Sequence, residues 1–426
     1  MIRSLRIQNF YSFKNEQFLN LEAGKAVSND DRFIATPSGT HIAKVVACFG
    51  ANASGKTNLL KVFPFLEWFI TSSWDMLKKD DNLIFSPFLF QKEIPPTTFE
   101  IETESASGAL YRYEVTLTNA EVLSEKLYCK HSDETKWKTM FLCNHANAVR
   151  PFYLSGLGLS LKDVPRSLRR KNASLISALG QLQTHALDDF VSTINFFTNV
   201  TPRGRQSISR NSTGTAIDAL SENPERKQNI EEELQKFDIG ISKLLIEKIK
   251  LSDTPVYETV QKIQAEFSRM FEGRVDIDVT SNDENYVYTV KGVHIVNDEE
   301  YTLPLDAESN GTQNLLGLLN EIEMALESGG IAVYDEIEHG LHPHILPRLF
   351  ELFYDENRNP KNAQLICTCH SANVMQFLHK KQIYFAEKNS QLESELFSLD
   401  DFKKIRNDDN YVQKYLTGAY GAVPRI

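Results

Sequence analysis

No stretch of this 426-residue chain approaches eighteen uninterrupted apolar residues, the length that a membrane-spanning helix needs. Its first residues also lack the apolar core of a signal peptide, because Arg3, Arg6, Asn9 and Ser12 interrupt them. Together these absences predict a soluble, cytoplasmic protein without a membrane partner. Cysteine is scarce: Cys48, Cys129, Cys143, Cys367 and Cys369 make an odd number, and no disulfide framework is implied. Three of them stand in apolar, strand-like runs, where a reduced thiol behaves as a small hydrophobe. Cys367-Thr-Cys369-His370 has no second ligand pair and reads as buried strand, not as a metal site. Positive charge is also short. With 46 Lys and Arg against 57 Asp and Glu, the net charge of −11 argues against a surface that coats nucleic acid as a whole. Local basic groups at Arg166, Arg169, Arg170 and Lys171, and at Arg203, Arg205 and Arg210, leave nucleic acid open as a partner. No internal repeat is evident.

What is present is sharper. Gly50-Ala51-Asn52-Ala53-Ser54-Gly55-Lys56-Thr57 fits the phosphate-binding pattern Gly-x-x-x-x-Gly-Lys-Thr, directly after the apolar run Val45 to Phe49. Glycines let the backbone wrap a phosphate closely, so that successive N–H groups and the following helix N-terminus face its charge. Lys56 is placed to reach the β- and γ-phosphates of a nucleoside triphosphate, and the Thr57 hydroxyl to hold Mg²⁺.

A second cluster, Gly330-Ile-Ala-Val-Tyr-Asp335-Glu336, is an apolar strand that ends in two acids. Asp335 is the expected magnesium ligand and Glu336 the base that orients or deprotonates the attacking water. Ala363 to Cys369 is a further apolar strand, ending in His370, whose imidazole is placed to sense the γ-phosphate. Between these groups lies Glu308-Ser309-Asn310-Gly311-Thr312-Gln313, before Leu315, Leu318, Leu319, Ile322 and Leu326 at helical spacing. Ser309 or Asn310 should cap that helix and leave its first amides free for an anion.

The chain reads as α/β. Alternating residues from Ile2 turn at Lys14-Asn15-Glu16 into a second strand, and Thr97 to Thr103 with Tyr111 to Leu117 form an antiparallel hairpin. From about 155 to 250 the texture becomes helical, notably at Leu175 to Leu187 and Ile230 to Ile249, with a loop at Gly204 to Gly214. Strand character returns at Asn285 to Val290. Three segments are expected: an N-terminal ATPase lobe with a β subdomain at 1–150, a helical insertion at 151–280, and a C-terminal lobe at 281–426.

The order of phosphate loop, Ser309 cluster, Asp-Glu strand and histidine strand resembles the ABC ATPases of the SMC class, whose loops often read Gly-x-Asn-x-Ser-Gly-Lys-Thr-Asn, as Gly50 to Asn58 does. Within that class, Leu5 to Phe13, Asp335 to Pro343 and the tail Tyr415 to Pro424 resemble the short bacterial AAA-family ATPases linked to restriction and abortive infection. The resemblance implies an ABC-type P-loop ATPase head with an antiparallel β subdomain and a helical insertion. It implies slow hydrolysis of ATP with Mg²⁺, at a site where Ser309, Asn310, Gly311, Thr312 and Gln313 act as the signature. It places Gln91 as the glutamine-loop contact to metal and water, and the subunit-communication loop at Glu338 to His342. ATP would then join two copies head to head, with Ser309 and Gly311 of one copy touching the γ-phosphate held by Lys56 of the other, and larger assemblies are open. Two departures, Ser-Asn-Gly-Thr-Gln at the signature and Cys-His-Ser at the switch, bear on rate.

The 251 residues between Thr57 and Ser309 do not fit a long SMC coiled coil. The 56 after His370 are too few for an appended TOPRIM nuclease domain, so any cutting activity is expected from another polypeptide. The leading expectation is a sensor or regulator of an anti-phage module that controls a separate effector, a nuclease. A gap-repair ATPase resembling RecF proteins and an ATP-bound scaffold without turnover are the alternatives.

Overall fold

Val45–Phe49 is buried at every position, as a strand covered on both faces must be. In the computed structural model it lies inside a six-stranded sheet ordered Phe196–Thr198, Ile331–Tyr334, Gln364–Thr368, Val45–Phe49, Ile383–Lys388, Ser394–Ser398. The first five run parallel and the last is antiparallel. The structure describes residues 1–24, 27–132, 134–144, 152–160, 162–165, 168, 170–182, 185–200, 220–221, 223–237, 239–250, 286–403, 405–406 and 409–424. Arg166, Arg169, Arg203, Arg205, Arg210 and the expected loop at 204–214 therefore lie outside the described residues. Among those described, no helix is long and apolar enough to cross a membrane.

By contacts the chain forms two units, Met1–Gln206 with Met324–Ile426, and Ser207–Glu323. The first holds the six-stranded sheet and a seven-stranded antiparallel one ordered Phe152–Tyr153, Lys138–Asn144, Val122–Lys130, Leu110–Leu117, Thr97–Glu104, Ile2–Gln8, Gln17–Asn20. The expected opening strands and the 97–117 hairpin are both in it, the latter turning through Gly108 at φ 84°. Helix Val62–Met76 buries Phe63, Phe65, Leu66, Phe69 and Ile70, and Phe65 packs on Phe10, Phe85 and Phe99.

Several buried polar side chains stitch this unit together through hydrogen bonds. Gln364, fully buried, accepts from Ile2 N at 2.6 Å and donates to Ile2 O and Ala43 O, tying the two large sheets. Glu125 accepts from Tyr113 OH, Ser174 Oγ and Leu175 N, so a carboxylate in the antiparallel sheet holds the start of helix Leu175–Leu179. Arg170, which the sequence grouped with a basic patch, donates to the carbonyls of Leu77 and Trp74 and covers the Trp74 ring. Lys171 pairs with Glu121. Arg170 is thereby a structural tie, while the Lys171–Glu121 pair lies at the surface.

The second unit contains helix Pro224–Lys236, capped by Asn223 with Pro224 at its first turn, and a three-stranded antiparallel sheet Lys243–Lys250, Tyr286–Val296, Glu299–Pro304. Asn297 and Asp298 both take positive φ, the geometry of a two-residue hairpin. Helical periodicity at 230–249 is thus only half realised: Gly240 at φ 77° breaks it, and Leu244, Leu245 and Ile246 continue as strand. Phe196–Thr198 is likewise a strand within the stretch that reads as helical. Helix Asn310–Ser328 begins in this unit.

On that helix burial alone pushes the Glu321 carboxyl up from 4.5 to about 7. Between those values the folded chain binds more protons than the unfolded one, so the group withdraws stability as pH rises through that window. Glu321→Gln should therefore leave urea stability unchanged at pH 4.5 and raise it at pH 8, by on the order of 2 kcal/mol after discounting for partial exposure. Equal shifts at both pH values would contradict this.

Candidate functional site

The loop that follows Val45–Phe49 is shaped by close backbone approach. A Cβ on Gly50, at φ 152°, would sit 2.3 Å from Ala386 O, and one on Gly55, at φ 115°, would sit 2.4 Å from Ser394 Oγ. Only glycine permits this approach at either place. Ala53 takes φ 61° at the crest, where Asn52 and Ala53 are exposed. Lys56 arches across the loop and donates to Gly50 O at 2.8 Å and Ala51 O at 3.0 Å. Burial lowers its pKa, and nearby Cys48, Asp335 and Glu336 oppose the shift. Ser54 Oγ is buried without a hydrogen bond, a hydroxyl left unsatisfied inside the cradle. Those features fit a phosphate group.

Opposite the loop, the expected acids are in place. Asp335 Oδ2 accepts from Thr57 Oγ1 at 2.7 Å, although 278 residues separate them. Two ligand oxygens at neighbouring corners of an Mg²⁺ octahedron lie about 2.9 Å apart, so this hydroxyl–carboxylate pair suits that ion. Among the described residues no group of three or more His, Cys, Asp or Glu could hold a metal ion. Glu336 stands beside Asp335 at φ 50°, a left-handed conformation that costs a non-glycine residue energy and that surrounding contacts must impose. His370 Nε2 is 3.4 Å from Glu336 Oε1. Cys367, on the strand, and Cys369, just past its end, are both buried.

Three positioning groups make bonds that the sequence did not signal, although Glu338 opens the segment that the resemblance marks as the subunit-communication loop. Thr368 Oγ1 donates to Asp335 Oδ1 at 2.6 Å and accepts the Glu336 N–H at 2.8 Å. Asn199 mimics a strand partner, donating to Asp335 O at 3.0 Å and accepting from Asp335 N at 2.8 Å. Glu338 accepts from the backbone N–H groups of His370 and Ser371. Tyr415, Leu416 and Ala422 to Pro424 line a cleft of about 820 Å³ beside Gly50 to Ser54 and His370.

Other expected residues have different neighbours. Gln91 Nε2 donates to Asn9 Oδ1 and Phe88 O, both at 2.8 Å, and none of these hydrogen bonds reaches Thr57 or Asp335. In this state Gln91 fastens the 88–95 loop to Asn9, a buried residue that also accepts from Phe88 N. Asn58 Nδ2 donates to Ser12 Oγ at 2.9 Å, linking the P-loop helix to the antiparallel sheet. In the second unit, Ser309 is the helix cap: its Oγ accepts from Thr312 N at 3.1 Å and lies 2.9 Å from Thr312 Oγ1. Asn310 and Gly311 form the first helical positions, and Gln313 Nε2 donates to Glu308 O at 2.9 Å.

Residues 45–376 match the family model described as "AAA domain, putative AbiEii toxin, Type IV TA system". A search of curated proteins finds no match. Among solved structures, the SMC head domain from Thermotoga maritima is 12% identical, with 93% of this chain and 98% of that one covered at a TM-score of 0.41. An SMC head bound to the C-winged helix domain of ScpA is 14% identical, covering 93% and 97% at 0.41. An Smc head domain with an extended coiled coil, bound to the C-terminal domain of ScpA derived from Pyrococcus furiosus, is 14% identical, covering 93% and 96% at 0.36. The expected α/β fold with an antiparallel β sheet is present, and within the six-stranded sheet the histidine strand lies between the phosphate-loop strand and the acidic strand.

Proposed function

This chain belongs to the AbiEii-type AAA-domain family, and we propose that it binds and slowly hydrolyses Mg·ATP, closing on the nucleotide as a head-to-head dimer that controls a separate effector protein. The observation that carries the reading is the convergence of Lys56, Thr57, Asp335, Glu336 and His370 at the ends of three adjacent parallel strands.

On binding, Lys56 exchanges its two loop carbonyls for phosphate oxygens, and the loop N–H groups take the remaining charge. Thr57 and Asp335 would hold Mg²⁺, which neutralises triphosphate charge when bound. Glu336 orients a water toward the γ-phosphorus and accepts its proton as the new P–O bond forms; the bond to the bridging oxygen breaks and ADP leaves with the electron pair. His370 contributes a donor at the developing charge. Ser309 and Gly311 are read as the contribution of the second copy, since a capped helix start with a glycine leaves amides for an anion. The resemblance to restriction-linked and abortive-infection ATPases supports an effector outside this polypeptide, a nuclease in the leading reading.

Two measurements test this: phosphate release by the purified chain with Mg·ATP, and mass by light scattering with and without nucleotide. Slow release with an ATP-dependent doubling of mass supports the proposal. A permanent monomer with no release contradicts it, and doubling without release favours the scaffold. A narrower expectation concerns Thr368→Val, which keeps the buried shape and removes the hydroxyl. Turnover should fall roughly tenfold while ATP affinity holds, as loss of an orienting partner does. Unchanged turnover would remove Thr368 from the machinery.

A further inference from the structure

The imidazole of His370 is held loosely by its visible partner. At 3.4 Å, Glu336 Oε1 is too distant for a strong hydrogen bond, and both side chains are well exposed. Something else must fix the ring over the acid.

The surrounding backbone shows what does. Residues 335 to 338 run beside 368 to 371 through successive contacts. Thr368 Oγ1 meets Asp335 and Glu336, Ile337 N donates to Thr368 O at 3.2 Å, and Glu338 Oε1 then accepts from His370 N and from Ser371 N at 3.3 Å. Glu338 is itself set in place by turns on both sides, with His339 N donating to Glu336 O and Leu341 N to Glu338 O, each at 2.8 Å. Its other oxygen, Oε2, is buried without a hydrogen bond among the described residues. A buried, unsatisfied carboxylate oxygen is unfavourable, and packing alone would be served better by an apolar side chain.

We propose that Glu338 is a positioning residue: by clamping the amides of His370 and Ser371 with one carboxylate oxygen, it sets the His370 imidazole against Glu336, and couples the 338–342 segment to the histidine. The proposal rests on the ATPase reading for its kinetic consequence and on geometry alone for the clamp. Rotation of the 338–342 segment carries the Glu338 carboxylate with it and releases the histidine backbone, so whatever engages this segment governs whether the ring is in place.

The test uses the full chain with Glu338→Ala, Glu338→Gln, His370→Ala and the Glu338→Ala/His370→Ala pair. Expected is a roughly tenfold fall in kcat for Glu338→Ala with KM for ATP nearly unchanged. The double variant should be no slower than His370→Ala, because Glu338 acts through that ring. Glu338→Gln, which retains an acceptor oxygen, should recover most of the rate. In parallel, hydrogen exchange without nucleotide should speed up at the His370 and Ser371 amides in Glu338→Ala and stay unchanged at residues 50–57. Additive losses, a raised KM with unchanged kcat, or unaltered exchange at 370–371 would overturn the proposal. If the wild-type chain releases no phosphate at all, the ATPase reading is what fails, and the exchange result still decides the clamp.

Discussion

Glu336→Gln should reduce turnover about 10³-fold while leaving ATP binding intact. The amide retains the shape and one acceptor oxygen, so the peptide at φ 50° and its N–H bond to Thr368 stay as they are. Lost is the carboxylate that takes the proton of the attacking water. Because binding survives and hydrolysis does not, the variant should also accumulate as an ATP-bound dimer, visible as a doubled mass that wild type shows only transiently. Single-turnover phosphate release and light scattering read the two effects separately. A variant as fast as wild type would move the base elsewhere. If wild type and variant are equally and negligibly slow, the scaffold alternative gains.

The second large effect is on affinity. Lys56→Ala should weaken ATP binding about 100-fold, the loss of one charge-assisted contact of roughly 2.7 kcal/mol. Folding should change little. Among the described residues Lys56 bonds to the Gly50 and Ala51 carbonyls, which lie beside an open cleft that water can enter. Titration calorimetry against a slowly hydrolysed ATP analogue measures the first expectation and thermal unfolding the second. Loss of affinity accompanied by general unfolding would mean that Lys56 holds the loop together instead of the ligand.

The parts of the site that sequence makes legible are those whose spacing chemistry fixes. A phosphate fits one loop length, so Gly50 to Thr57 could be placed on strand, loop and helix before any coordinates, and strand Val45–Phe49 follows from its unbroken apolar run. Asp335, Glu336 and His370 end apolar strands and were legible for the same reason. Thr368 and Asn199 were hidden because they act by bonding to backbone or to a carboxylate across 32 to 136 residues of sequence, and Glu338 was legible only as part of the 338–342 segment, without its bonds to the 370 and 371 amides. Gln91 had no spacing to fix it, and a different amide network claims it. Strand Lys243–Lys250 eluded the helical reading because a short run of Leu and Ile satisfies both periods; Gly240 decides between them.

The central claim is that two copies share each nucleotide, one giving Lys56 and the other Ser309. It is tested most directly by mixing two inactive variants, Lys56→Ala and Ser309→Arg, and measuring phosphate release. In a mixed dimer one of the two shared sites joins the intact phosphate loop of the Ser309→Arg chain to the intact signature of the Lys56→Ala chain, so mixing should restore a substantial part of the activity that neither has alone. A mixture as inert as its components, while light scattering shows that mixed dimers form, would contradict the account.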